Sequence, residues 1–460
     1  MRRAGGREGI VIARASLLPM MTAALVAMPA AAQTPRASGE TRGPLPGGGD
    51  WVVEAPANWN GTVLLYGHGY SQTLRPAESA PIGERELYLA QGYGLAASSY
   101  SQAGWALEQA QVDQWTALDA FVARYGKPKR VIAWGDSMGG LTSVALAERH
   151  PERLDGALAL CGSISGVLGM MNTALDGAFA FKTLLAPDSD LRLVATGDDR
   201  ANGAAAQAIL GEAMRTPRGR ARIALASALA QLPGWTDPAS PEPQVDAYDE
   251  QLEQQAEAFV MGVFLPRADQ ERRAGGVFSW NMGVDYAAQL RAGGRRPAVQ
   301  ALYAKAGLDL DADLATLAKA PRIAAEPAAV AYMSANYTIS GDIKRPLLTV
   351  HNVGDGMTVV STNAAYASAV KSRRRGANLA QAFVGAAGHC RFGAGERLAA
   401  IRTLEARIDT GRWDAAPAAL NRRARDAGEA QGRFVPFTPP PFARPCIRGG
   451  ACRGAPIKPE

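Results

Sequence analysis

Apolar and polar positions follow two rhythms along the first third of the chain. Short apolar runs read as strands at Trp51–Ala55, Thr62–Tyr66, Tyr93–Tyr100 and Leu154–Cys161. Between them, Ala106–Tyr125 spaces its apolar residues at helical intervals and ends before Lys127-Pro128. A further strand, Val131–Trp134, leads directly into Gly135-Asp136-Ser137-Met138-Gly139, and an Ala-rich helix pattern covers Leu141–Arg149. Strands alternating with helices predict an α/β fold, a mostly parallel sheet flanked by helices on both faces.

The alternation stops after residue 162. Residues 163–340 are patterned as helices, broken near Leu232-Pro233-Gly234 and Pro238–Pro243, and strand signals return at Leu347–Asn352 and Gln381–Val384. These late strands are too few for a second sheet. The expectation is therefore a helical cap, residues 163–340, inserted between late strands of a core formed by 33–162 and 341–415. Residues 416–460, rich in Pro and Arg, read as an extended, partly disordered tail whose charges are solvated.

Arg2, Arg3, Arg7 and Arg14 precede an apolar run from Leu17 to Pro29, and Ala30-Ala31-Ala32 offers a small-residue cleavage site. Residues 1–32 thus read as a secretory signal peptide, too short in its apolar part to span a bilayer, and the protein as secreted or periplasmic. The apolar fraction of 47% and charged fraction of 20% are those of a folded globular chain. The net charge of +6 is concentrated in the leader and in the segment after Arg412. No basic stripe is interleaved with aromatics, which argues against a nucleic-acid partner.

Four cysteines in an oxidising compartment invite pairing. Cys446 and Cys452 can close a small Gly-rich loop. Cys161 and Cys390 both fall near the carboxyl edge of the sheet, as a bridge or as a pair of buried thiols. No spacing calls for a metal, and no motif calls for a cofactor.

The segment around Ser137 carries the candidate chemistry. A strand, a Gly-x-Ser-x-Gly turn and a helix in immediate succession push the serine hydroxyl out above the sheet at a helix N-terminus. Gly135 and Gly139 must lack side chains so that strand and helix can approach. A serine hydroxyl becomes nucleophilic only when an imidazole takes its proton, and that imidazole needs a carboxylate on its other nitrogen.

The core resembles the α/β-hydrolase fold over residues 50–162 and 341–410, and the family's order of Ser, acid, His can be followed. Asp355 ends Leu347-Leu348-Thr349-Val350-His351-Asn352-Val353-Gly354-Asp355, where the family carries its acid; Asp342 is the alternative. His389, in Gly385-Ala386-Ala387-Gly388-His389-Cys390, matches the family's Gly-His loop after the last strand. His351 reads as a core or edge residue, His150 as a surface one, and Asp136 as a local polar contact. Gly67-His68-Gly69-Tyr70 stands where the family places its oxyanion loop. The backbone N–H of Met138 and that of Tyr70, or of Gly69, would then face the developing oxyanion. His68 would brace this loop beside the substrate.

Aromatic residues of the cap, Phe278 and Trp280 among them, together with Trp105 from the core, predict a mainly apolar substrate pocket. The resemblance thus implies a secreted serine hydrolase that cleaves small-to-medium apolar carboxylic esters through an acyl-enzyme. A capped serine peptidase of aminopeptidase type is the second reading, and a non-catalytic binding protein on this scaffold the third. The disulfide-linked tannase and feruloyl-esterase group joins a Cys beside its nucleophile to one beside its His. Here Asp136 precedes Ser137, a departure from that pattern.

Overall fold

Runs buried on both faces cannot leave backbone groups unpaired, and here they assemble one sheet. The computed structural model describes residues 38–448 and Cys452; the leader expected at 1–32 lies outside the described residues. The strands are β1 (Gly39–Pro44), β2 (Asp50–Ala55), β3 (Thr62–Gly67), β4 (Gly94–Ser98) and β5 (Arg130–Asp136). They are followed by β6 (Gly156–Leu160), β7 (Leu347–Gly354), β8 (Leu379–Ala387) and β9 (Phe434–Val435). Their spatial order is β1-β2-β4-β3-β5-β6-β7-β8-β9. Pairing is parallel from β4 through β8 and antiparallel at both margins, β1–β2–β4 and β8–β9. Every residue of β3, β4 and β6 is buried, as strands covered on two faces require.

The order reverses at β3, which pairs with β4 on one side and β5 on the other. Such a switch point opens a crevice outside the carboxyl ends of the two diverging strands. In register, Gly67 at the end of β3 stands beside Gly135 at the end of β5.

Between Leu160 and Leu347 the chain forms nine helices, Val167–Leu185 through Pro327–Tyr337, and no strand. Their starts follow side-chain chemistry. Asp198, Thr216, Asp285 and Asp309 each accept a bond from the first turn of the helix that follows.

Two margins differ from the sequence expectation. β1 has the pattern of an exposed edge and no apolar run to announce it. Over its described residues the C-terminal segment is not an extended, solvated tail: Pro417–Asp426 is a helix, β9 extends the sheet, and Phe442 and Cys446 are buried. Arg444 is only 5% exposed and forms a two-pronged ion pair with Asp176, at 2.7 and 2.8 Å. The cause is Asp176, which lies fully buried in helix Val167–Leu185. Burial raises its pKa, and the Arg444 charge with bonds from Gln289 and Tyr286 opposes that rise. Composition marked the arginines as surface charge; a buried carboxylate elsewhere in the chain recruits one of them.

Removing one partner strands a charge in the interior. Arg444→Ala is therefore expected to destabilise the fold by about 3–5 kcal/mol, read by urea denaturation. The double replacement Asp176→Leu with Arg444→Met should recover most of that loss. A single variant as stable as the parent would show that the pair is solvated in solution.

Candidate active site

The turn after β5 is held by contacts that only glycine allows. A Cβ on Gly139 or Gly135 would overlap the carbonyl oxygen of Gly67, so β3, β5 and helix Met138–Arg149 meet backbone to backbone. Ser137, between them, is forced to φ 57° and ψ −119°, a conformation costly for a residue with a side chain. Its N–H donates to Leu160 O at 2.9 Å, which anchors the turn to β6.

β7 and β8 bring the other two groups to the same edge. They pair in parallel with a register shift that aligns Gly354 with Ala387, and the N–H of Gly388 donates to Gly354 O at 2.9 Å. Asp355 and His389 therefore leave neighbouring strands side by side. His389 Nδ1 lies 2.8 Å from Asp355 Oδ2, and its Nε2 lies 2.9 Å from Ser137 Oγ. A carboxylate on one side fixes the tautomer: Nδ1–H donates to Asp355, leaving Nε2 to accept the Ser137 hydroxyl.

Asp355 is fully buried yet well supplied with donors. Its Oδ1 accepts the N–H groups of Met357 and Thr358, both at 2.9 Å, and its Oδ2 also accepts the Thr358 hydroxyl at 2.9 Å. Burial alone would push its pKa up, but the His389 charge and bond, His351 and the Thr358 N–H together hold it below the ordinary carboxylate range. His389 shows the converse balance. Burial lowers its pKa, and the Asp355 charge and hydrogen bond, with Asp136 adding, raise it above the ordinary imidazole value. His351, buried beneath, is held neutral chiefly by desolvation; its Nε2–H donates to Thr358 O at 2.6 Å.

Cys161, which follows β6, and Cys390 are joined by a disulfide with their Cα atoms 5.3 Å apart. Cys446 and Cys452 form a second. The first bridge ties the His389 loop across β7 to the end of β6, and Cys390 Sγ lies 3.3 Å from His389 Nε2. The half-cystine expected beside the serine in the tannase pattern thus stands one strand over, where Asp136 pairs in register with Leu160.

Asp136 makes its polar contacts with Arg397 and Tyr66. Arg397 Nη2 lies 3.4 Å from its Oδ1, Tyr66 OH lies 3.5 Å from its Oδ2, and Arg397 also binds Glu84 at 2.7 Å. Asp342, the alternative acid, lies at the surface and pairs with Arg375 at 2.7 Å.

On the β3 side, Gly69 faces Ser137 directly: a Cβ there would sit 3.4 Å from Ser137 Cβ and 4.0 Å from its Oγ. The His68 ring lies 2.6 Å from Gly69 O and 3.0 Å from Ser99 O and stacks on Tyr100, whose hydroxyl donates to His68 O. The loop is pinned by the Tyr100 bond and by the single proton that the neutral His68 ring can donate. Tyr70 and Trp105 pack ring to ring at 5.3 Å, and Met138 starts the helix behind the serine. Phe278 and Trp280 are a correction. At 0% and 1% exposure they are enclosed in the core, and the Trp280 carbonyl accepts from Arg444; their surface is taken up by packing and not open to a substrate. Sequence reading also passed over Thr358. Its signal was present, an Asp followed three residues later by Thr, the spacing of a turn capped by an Asp side chain.

The chain is 30% identical over 410 residues to an o-phthalyl amidase of Xanthobacter agilis, a match covering 81% of this chain and 88% of that protein. It belongs to that amidase's family, within the α/β-hydrolases. Residues 44–257 match the model of the Tannase-like family of unknown function (DUF6351). Among solved structures, the hydrolase is similar to feruloyl esterase B from Aspergillus oryzae, at 13% identity and a TM-score of 0.37, covering 81% of this chain and 80% of that one. It is also similar to an esterase from Pyrococcus furiosus, at 12% identity and a TM-score of 0.37, covering 81% and 91%.

Because the Cys161–Cys390 bridge anchors the loop carrying His389, Cys161→Ser should cost the hydrolase roughly 10²-fold in kcat/KM, the scale of a small misplacement of a reacting group. Steady-state kinetics on folded protein checks this, with Cys446→Ser as the comparison that leaves activity near the parent value. Equal losses in both variants would detach the effect from the His389 loop.

Proposed function

We propose that this hydrolase is an exported serine enzyme that transfers the acyl group of carboxylic amides and esters to water. The observation that carries the reading is the continuous contact from Asp355 through His389 to Ser137, at 2.8 and 2.9 Å. Ser137 Oγ attacks the acyl carbonyl as His389 Nε2 takes its proton. Asp355, ionised and buried, stabilises the imidazolium that results. The backbone N–H groups of Met138 and of Gly69 or Tyr70 receive the tetrahedral oxygen. His389 then returns the proton to the leaving group, and water, deprotonated by the same imidazole, releases the acid.

Two leaving groups fit this machinery. An ester follows from the triad and from the apolar surroundings. An amide is favoured by the 30% identity to an o-phthalyl amidase, and it needs the same groups plus firm protonation of a poorer leaving group. Export is supported by the leader pattern in residues 1–32 and by two disulfides, which persist in oxidising compartments. Among the described residues no helix is long and apolar enough to cross a membrane.

The test is hydrolysis of p-nitrophenyl butyrate and of phthalic acid mono-anilide by the mature protein and by Ser137→Ala. Both activities are expected to fall by roughly 10⁴-fold or more in the variant. Retention of either would remove Ser137 from the nucleophile role. Loss of the ester activity alone, with no anilide cleavage by the parent, would restrict the enzyme to esters.

The pH profile tests His389 separately. His389 must be neutral to accept a proton, and its pKa is raised. The kcat/KM profile should therefore climb with pH through a midpoint above the ordinary imidazole value of 6.5. A midpoint at or below that value would mean that Asp355 does not pair with His389 in solution.

A further inference from the structure

The loop after β3 touches Ser137 through Gly69, but its far end leans on a second segment, residues 99–105. Near the start of that segment Tyr100 OH donates to His68 O at 2.9 Å. Near its end the Gly104 N–H donates to Ser71 O at 2.7 Å in a short antiparallel bridge, and the Trp105 ring packs on Tyr70. Gly69 and Tyr70 lie between these two attachments.

Residues 99–105 are in turn gripped from two sides. On the core side Asp113 accepts the Ser101 N–H at 2.7 Å. The end nearest Tyr70 is held from the helical insertion, by Asp269 and Arg273 of helix Ala268–Ala274, whose side chains are only 16% and 10% exposed. Asp269 Oδ2 accepts the Trp105 N–H at 2.7 Å and the Arg273 Nε–H at 3.0 Å. Arg273 also donates to Ala103 O at 2.8 Å and to Gln102 Oε1 at 3.0 Å, and Tyr337 OH donates to Trp105 O. The carboxylate is seated where only glycine leaves room: Gly104 has φ +80°, and a Cβ there would overlap Asp269 Oδ2. Hydrogen bonds to ionised groups are stronger than neutral ones, and partial burial spares them much of the screening by salt.

We propose that Asp269 and Arg273 are positioning residues for hydrolysis, setting through residues 102–105 where the Tyr70 end of the oxyanion loop stands relative to Ser137. The proposal rests on the serine reading given above. Oxyanion donors act at about 3 Å from the developing charge, so a displacement of about 1 Å is felt in the transition state more than in substrate binding. The insertion, which supplies no member of the Ser137–His389–Asp355 chain, thereby takes part in the reaction from the opposite wall.

The experiment measures kcat and KM for p-nitrophenyl butyrate and the inhibition constant of phenylboronic acid, whose boron takes up the serine oxygen and places another oxygen in the same hole. Asp269→Ala should lower kcat at least tenfold with KM within about threefold, and weaken the boronic acid by a matching factor. Asp269→Asn keeps an acceptor for the Trp105 N–H and should recover most of both losses. Arg272→Ala, at a side chain 72% exposed that touches Asp269, should stay within about twofold of the parent. If Asp269→Ala does not fold, Gly104→Ala decides instead, since its Cβ displaces the Asp269 carboxylate from the other side. Parental kcat in the deciding variant overturns the proposal, as does a kcat loss that leaves boronic acid affinity unchanged. An equal loss in Asp269→Asn overturns it too. Activity retained by Ser137→Ala would instead remove the serine reading, and this proposal with it.

Discussion

Everything at the candidate active site depends on how closely the backbone at the end of β3 passes beneath the turn after β5. The Gly67 carbonyl lies where a Cβ of Gly135 or Gly139 would be, so three backbone segments share a space that side chains would otherwise fill. That approach has two consequences. It drives Ser137 into the positive-φ region, and it sets the loop after β3 against the same serine, with Gly69 in contact range. The strained residue and the proposed oxyanion donors are thus positioned by one packing event. Strain of this kind persists only where the surroundings over-determine it, and here the bond from Ser137 N–H to β6 and the helix that starts at Met138 leave the turn no alternative.

The opposite wall is built on electrostatics. Asp355 is a carboxylate with no exposure, a placement that on its own would favour the neutral acid. The His389 charge and bond, with the Thr358 N–H, hold it ionised, and His351 closes the space beneath as a neutral ring. The same pairing raises the His389 pKa against the effect of its own burial. Thr358 does double service, since its hydroxyl also lies 2.9 Å from Cys161 O, beside the disulfide that fixes the His389 loop. Asp355, His389 and the bridge are consequently one connected unit rather than three independently placed groups.

How much of this the sequence discloses depends on the range of the interaction concerned. The buried strands β3 to β8 and the serine turn are local patterns, a period of hydrophobicity or a glycine spacing, and they are legible to within a few residues. Asp355 and His389 were picked out by the resemblance to the α/β-hydrolase fold, whose order of Ser, acid and His passes through their positions. What escaped was long-range. β1 and β9 are edge strands whose pairing is decided by their neighbours, not by their own composition. Arg444 is indistinguishable in sequence from the other arginines of its segment, and only the buried Asp176 sets it apart. Phe278 and Trp280 failed as substrate contacts for a related reason: apolar residues of an insertion must first cover the core beneath them.

That covering role bears on selectivity. The insertion contributes no group to the chain of contacts from Asp355 to Ser137, so the chemistry can be fixed while the helices above it vary. Yet it is not an independent lid. Asp176 inside it is held by Arg444 from the far C-terminus, and the Trp235 carbonyl packs against Gly354, next to Asp355. A change of substrate made through the insertion must therefore keep both anchors. Within those limits, what can vary is the lining around the serine. Insertion side chains can accordingly vary around the serine, while the contacts from Asp355 through His389 to Ser137 include none of them.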